Sequence, residues 1–346
     1  MIFSFRDWPV RRAVSLANLF SGKPILAVFD ITRDCQSRCP MCNIRRAVNG
    51  GREMDLTEIT RLAGSLRRFG ISYVFLQGGE PLLRQDLLKI VDIFIAGGIK
   101  PTIITNGILL NTESACALSR RNCNLSVSLD TLDREKYARI RGVDAFDIVT
   151  ANIARCASLK RRKKGNWSVI STITALSTLE DVMATERFAR ANGFMYAVRP
   201  YVFSGSSAGA RVDELVYERK KVVPIFEYML SKARRGNYLA GLLYEEHLRY
   251  LRGESMSACD AMKYSVRVDE TGVFFPCLEL TACGFLLNDF RKAKTDFSER
   301  ITACNRNAPC FFNCAREVGI LWNKKWRIAL NIPRIAGEML REGNFF

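Results

Sequence analysis

The sequence predicts an α/β fold: a parallel sheet wrapped by helices, followed by a small cysteine-rich extension. Three observations predict it. Short apolar runs alternate with amphipathic stretches six times between Pro24 and Val202, in units of roughly 25 to 35 residues. The Gly/Ser-rich stretch Ser204–Ala210 then ends that rhythm. Beyond it, residues 257–315 hold six of the twelve cysteines. Six such units build either a doubly wound sheet or a partial barrel. In both, the reactive ends are the strand C-termini, where the following loops sit.

The elements follow in order. Ile25–Thr32 (ILAVFDIT) reads as a buried strand, and Leu56–Phe69 carries apolar residues at helical spacing. Strand Tyr73–Gln77, helix Gln85–Ala96, strand Lys100–Thr105, helix Thr112–Ser119 and strand Asn124–Asp130 come next. Helix Phe146–Arg162, strand Trp167–Leu176, helix Leu179–Ala191 and strand Met195–Val202 complete the series. Punctuation agrees: a cysteine cluster follows the first strand, GGEP the second and NG the third, while SLD closes the fourth. The boundaries expected are an amphipathic segment at 1–23, a core at 24–210 and a polar helical linker at 211–256. A short-stranded cysteine domain at 257–315 and an aromatic, basic tail at 316–346 follow.

The chain of 346 residues, 48% hydrophobic and 25% charged, is long enough for a large domain with a smaller companion. Lys and Arg number 52 against 35 acidic residues, a net charge of +17 that favours anionic partners. A single histidine, His247, excludes multi-His zinc sites and facial-triad iron. The first twenty residues are broken by Arg6, Asp7, Arg11 and Arg12 and show no signal-peptide core. No run reaches the about 18 apolar residues of a spanning helix. The expectation is a cytoplasmic protein, where thiols stay reduced and clustered cysteines bind metal more often than they pair.

Cys35, Cys39 and Cys42 form C-x3-C-x2-C directly after the first strand. Thiolates are soft ligands suited to zinc or iron–sulfur clusters. Three of them on one iron–sulfur cube leave an iron open to an exogenous ligand. Three unrelated cysteines, or a zinc site completed elsewhere, are the other readings of this spacing alone. Next comes Gly78-Gly79-Glu80-Pro81, where glycines permit close backbone approach and a carboxylate pairs with a cation.

The two motifs on successive strands resemble those of the radical S-adenosylmethionine (SAM) enzymes, over about residues 24–202. The resemblance implies a partial (β/α)6 TIM-like barrel. It implies that Cys35, Cys39 and Cys42 hold a [4Fe–4S] cluster whose open iron chelates SAM. Reductive cleavage then yields a 5′-deoxyadenosyl radical that abstracts a hydrogen atom, the electron coming from a donor such as flavodoxin or ferredoxin. Carried onto this sequence, Met41 lies against the adenine, a mild departure at a position that is often aromatic. Gln77, Gly78, Gly79 and Glu80 receive the SAM ammonium. Thr105, Asn106, Ser128 and Asp130 meet its ribose and carboxylate, and Arg199 is a carboxylate contact. Ser171 and Thr172 are candidate inward polar positions, and Tyr201, His247 and Tyr264 candidate substrate contacts.

The later cysteines resemble the auxiliary-cluster extension called SPASM, or its shorter form, twitch. Cys259 and Cys277 frame Gly272 in the pattern C-x12-G-x4-C, around a predicted hairpin with a DETG turn. Cys304, Cys310 and Cys314 follow as C-x5-C-x3-C, but Ile301 stands where the fuller pattern has another cysteine. The resemblance therefore implies one auxiliary [4Fe–4S] cluster on Cys259, Cys277, Cys310 and Cys314, with Cys304 as alternative ligand. Cys283 fits no slot. Cys116, Cys123 and Cys156 read as small buried hydrophobes.

Both ends combine aromatic and aliphatic residues with cations, as interfacial helices do, so peripheral contact with an inner membrane surface is expected. Peptides, lipids and other anionic small molecules are the substrate classes considered. The competing class is a non-catalytic metal binder, an iron–sulfur carrier or zinc-ribbon nucleic-acid protein. GGEP argues against a carrier, and nucleic acid lacks any recognition motif here.

Overall fold

One sheet of eight strands organises the chain in a computed structural model that describes residues 18, 20–44, 52–159, 165–202, 209–281, 284–307, 310–311 and 313–342. Six strands run parallel: β1 (Leu26–Thr32), β2 (Tyr73–Gly78), β3 (Lys100–Thr105), β4 (Asn124–Ser128), β5 (Trp167–Ile173) and β6 (Met195–Pro200). They lie in strict chain order, β6-β5-β4-β3-β2-β1. A doubly wound sheet reverses its order at a switch point. These six never do, so they form an open partial barrel, wound in one direction.

The crossovers are helical. They are α1 (Leu56–Phe69), α2 (Leu87–Ala96), α3 (Thr112–Ser119), α4 (Arg134–Arg141), α5 (Phe146–Arg155) and α6 (Leu179–Ala191). Their ends are written locally. Asp55 and Thr178 make capping boxes with Glu58 and Asp181, and Gly70 stops α1 in the left-handed conformation. The expected helix before β5 ends at Arg155 and tightens into a 3₁₀ turn, Cys156–Leu159; the basic run 160–164 lies outside the described residues. Helix α4 is an element the apolar periodicity does not announce, because its only fully buried apolar side chains are Tyr137 and Ile140.

Two segments behave differently from expectation. Residues 211–256 form no linker: α7 (Arg219–Gly236) and α8 (Tyr238–Arg252) pack together and bury Phe226, Met229, Leu242 and Leu248 in the main core. Tyr244 of α8 covers the outer edge of β6, its hydroxyl accepting from Val198 N at 3.2 Å. The predicted hairpin exists as β7 (Ser265–Val268) and β8 (Phe274–Phe275), paired antiparallel. It is not separate, however, since β7 pairs parallel with β1 and extends the barrel sheet.

After the hairpin the chain is helical rather than short-stranded: α9 (Phe290–Asp296) and α10 (Ser298–Asn307). Phe290, Ala293 and Phe297 share one buried helical face, and Phe290 packs edge-on against Phe69 of α1 at 4.8 Å. Helices α11 (Asn313–Asn323), α12 (Lys325–Leu330) and α13 (Ile332–Glu342) follow.

The barrel interior is filled from this same C-terminal region. Ala27, Phe29, Val74 and Leu76 face the helices, while Leu26, Val28, Tyr73 and Phe75 face inward. Tyr264 and Val318 of α11 close over that inner face, with Trp322 against it. Among the described residues no helix is long and apolar enough to cross a membrane. Of the amphipathic segment 1–23, residues 1–17 and 19 lie outside the described residues.

Candidate active site

The C-terminal strand ends open into a cavity of about 380 Å³. Its wall is built from the loop after β1 (Cys35, Ser37, Cys39, Met41, Cys42), from Gln77, Gly78 and Gly79 after β2, and from Thr105 and Asn106 after β3. Ser128, Thr172, Arg199 and Arg141 continue it, and Leu278 and Phe311 reach in from the cysteine-rich extension. Thus the first three cysteines and most of the residues expected around SAM share one hollow.

The GG pair has a sharper role than ligand approach alone. Gly78 has φ +123°, and a Cβ there would stand 2.2 Å from Thr32 O. A Cβ on Gly79 would stand 2.1 Å from Asp34 O. The backbone uses that closeness: Gly79 N donates to Thr32 O at 2.8 Å and Glu80 N to Asp34 O at 2.7 Å. The glycines therefore dock the β2 turn onto the root of the cysteine loop.

Glu80 is also placed differently from expectation. It is fully buried behind the cavity wall, not in it. One oxygen accepts from Leu82 N at 3.0 Å and from Thr105 Oγ1 at 2.6 Å; the other accepts from Asn106 N at 2.7 Å. Burial pushes its pKa up against those hydrogen bonds. With both oxygens engaged, the carboxylate organises the end of β3. Asn106 then reaches Ser37 Oγ at 3.1 Å and the Cys35 sulfur at 3.8 Å.

Asp130 shows the same displacement. It is buried outside the cavity, accepting from Thr172 N at 2.8 Å and pairing with Arg141 at 2.7 Å. The group it leaves facing the cavity is the Arg141 guanidinium, which also touches the Cys39 thiol. Sequence reasoning missed Arg141 because it missed α4. The signal was present: Asp133 caps α4, accepting from Lys136 N at 3.0 Å, and Gly142 ends it at φ +64°.

Further round the wall, Arg199 lines the cavity and pairs with Glu317 of α11. Gln77 donates to Asp30 at 3.0 Å, and the other Asp30 oxygen accepts from Arg267 of β7 at 2.7 Å. Thr172 faces in, whereas Ser171 turns away to accept from the Tyr196 hydroxyl at 2.8 Å. Tyr201 lines the cavity. His247 and Tyr264 do not; His247 is fully buried, its ring 4.4 Å from that of Phe311.

The donor set suits a cluster. Cys35, Cys39 and Cys42 are all half-buried. Burial raises the Cys35 and Cys42 pKa values, and the neighbouring thiols raise them further. A strong local cation such as iron favours the thiolate form that raised thiols otherwise resist. Among the described residues no three His, Cys, Asp or Glu side chains converge as one ion requires. A four-iron cluster instead takes each thiolate at a separate iron.

Residues 29–189 match the radical SAM superfamily. The chain carries a radical SAM domain. The superfamily is one of enzymes that use a [4Fe–4S] cluster and SAM, and the open barrel described above is its fold. A probable GTP 3′,8-cyclase of Pyrococcus abyssi is 32% identical over 153 residues, covering 44% of this chain and 50% of the relative. The mycofactocin maturase MftC of Mycobacterium ulcerans is 25% identical over 272 residues, covering 77% of this chain and 70% of the relative. Streptococcus suis SuiB bound to S-adenosylmethionine shares the fold with TM-score 0.62 at 18% identity, over 82% of this chain and 68% of SuiB. The chain spans about half the length of the GTP-cyclase relatives that it matches.

A second group of thiols lies beside the cavity. Burial raises the Cys259 pKa to about 11 and the Cys277 pKa to about 12, and the nearby Cys310 thiol raises both further. The Cys277 sulfur accepts from Glu279 N at 3.3 Å and Leu280 N at 3.4 Å, and Cys259 N donates to Asn305 at 2.7 Å. Cys304 sits half-buried on α10. Cys283 lies outside the described residues, as does the side chain of Cys314 on α11. Cys123 and Cys156 are buried in the core as expected, and Cys116 packs against it half-buried.

Proposed function

We propose that this protein cleaves SAM reductively and uses the resulting radical to take a hydrogen atom from a substrate held in the same cavity. One observation carries this: three thiols, two strand-end glycines, a hydroxyl-bearing rim and two guanidinium groups surround one 380 Å³ hollow at the strand C-termini. A [4Fe–4S] cluster on Cys35, Cys39 and Cys42 would supply the electron that splits the S–C5′ bond of SAM.

The chain's own residues supply the rest. Arg141 offers a fixed positive charge suited to a carboxylate, oriented by Asp130. The rim at Gln77–Gly79 brings polar backbone to a cationic amine, and Thr105, Asn106 and Ser128 offer polar groups to a ribose. Met41 gives adenine a polarizable apolar surface. Leu278 and Phe311 add apolar wall to the hollow, which disfavours water beside a carbon radical. They directly follow Cys277 and Cys310, so an auxiliary [4Fe–4S] cluster on Cys259, Cys277, Cys310 and Cys314 would border the substrate. The extension is thus read as SPASM- or twitch-like.

The substrate is read as a peptide, a lipid or another anionic small molecule, because the cavity pairs an apolar lid with Arg141 and Arg199. MftC is named a mycofactocin maturase, and SuiB has been seen with its precursor peptide SuiA, which supports a peptide. Flavodoxin or ferredoxin would deliver the electron in the cytoplasm, with membrane contact only peripheral. The test is the electron-paramagnetic-resonance signal of the reduced, reconstituted protein. SAM should shift it, and Arg141→Met should abolish that shift; a signal indifferent to SAM contradicts the proposal.

A further inference from the structure

We propose that the outer face of α12, continued into α13, docks the protein on an anionic lipid bilayer. The face is apolar and outward: Trp326 is 74% exposed, Leu330 83% and Ile332 59%. Trp326 and Leu330 stand one helical turn apart, while Ile328 between them packs inward on the core. The helix therefore lies flat, with one side anchored and the other presented to its surroundings.

Cations frame the apolar side chains. The Lys325 ammonium sits over the Trp322 ring at 5.1 Å and the Trp326 ring at 6.0 Å. Phe20, 73% exposed, meets Trp322 edge-on at 4.7 Å, so parts of both ends of the chain share the patch. Residues 324–342 hold five Lys or Arg against two Glu of their own, and of the five, Lys324 and Arg327 pair with Glu246 and Glu245 of α8. One of the segment's own two, Glu338, is buried beneath the face, accepting from Tyr238 N at 2.8 Å and pairing with Arg334. Aromatic and aliphatic side chains with adjacent lysines suit the headgroup boundary, where apolar surface enters the acyl region and cations meet anionic headgroups.

The anchoring is firm. Arg327 pairs with Glu245 of α8 at 2.8 Å, and Asn331 donates to the Tyr238 hydroxyl at 3.1 Å. Charge decides the occupant. A second copy of a chain carrying +17 would approach against like charge, whereas an anionic bilayer complements that charge.

The experiment is co-sedimentation of the full-length, anaerobically reconstituted protein with vesicles of phosphatidylglycerol and phosphatidylcholine, or of phosphatidylcholine alone. The protein should sediment with the anionic vesicles only, and less as salt rises. Trp326→Ser/Leu330→Ser should lower partitioning by at least about tenfold with iron content unchanged. Ile148→Ser, an exposed apolar residue on α5, should leave it intact. No sedimentation with anionic vesicles, or undiminished binding by the double variant, overturns the proposal. So does a lipid-independent dimer that the double variant abolishes, which would give the face to a second copy.

Discussion

Glu80 Oε2 accepts from the backbone N–H of Asn106 at 2.7 Å, fixing a residue whose amide group reaches the Cys35 sulfur at 3.8 Å. The acidic residue of the GGEP motif thus acts on the cluster loop through β3. Glu80→Gln keeps the shape but sets an amide N–H against one of the donors. The expected cost is about 1–3 kcal/mol of stability, with SAM cleavage falling while the cluster still assembles. Thermal melts, iron content and turnover on one preparation check it.

Gly79→Ala should be more severe for the cluster than for the barrel. Its Cβ would overlap Asp34 O at 2.1 Å, so the root of the cysteine loop must shift. The strands beneath it do not depend on that contact. Circular dichroism should stay near wild type while iron incorporation at the first site falls steeply.

Arg141 and Asp130 form a buried pair, and breaking it from one side leaves a lone charge inside. Arg141→Met alone should cost about 3–5 kcal/mol. Adding Asp130→Asn should recover much of that stability without recovering SAM affinity, which should stay at least about tenfold weaker. Denaturant titration and equilibrium SAM binding separate the two effects. Recovery of both would make Arg141 a structural partner only.

How far these residues were legible in the sequence follows from how local their signals are. The six strands, most of their helices and the cysteine loop were readable, since apolar periodicity and caps lie within about twenty residues. Arg141 was not, because α4 exposes most of its surface and only its caps announce it. Glu80 and Asp130 were assigned to ligand contact, and only the fold shows their oxygens engaged by Thr105, Asn106, Thr172 and Arg141. The joining of β7 to β1, more than two hundred residues apart, has no local trace in either strand.

Acid should loosen the C-terminal helices first. Glu245 and Glu246 have lowered pKa values: burial opposes the charge, but Arg327 and Lys324 outweigh it, with Ser257 N donating to Glu246. A carboxylate whose folded pKa is depressed contributes stability above its ordinary value near about 4.3, and loses it as pH falls through the folded value. Hydrogen exchange on α11 to α13 should therefore rise below about pH 4 before exchange in β1 to β4 does. Simultaneous loss would make the helices and barrel one cooperative unit.

The auxiliary cysteines can be sorted by counting iron. Cys304→Ser should leave about eight irons per chain, whereas Cys259→Ser, Cys277→Ser or Cys310→Ser should leave about four. A Cys304→Ser preparation with about four irons would exchange its role with that of Cys310.

The most direct test of the account is 5′-deoxyadenosine formation by the anaerobically reconstituted protein given SAM and a strong reductant. The wild-type chain should form it, and a variant with Cys35, Cys39 and Cys42 changed to Ala should form none while keeping the second cluster. Bound zinc with no SAM cleavage by the wild-type chain would contradict the account.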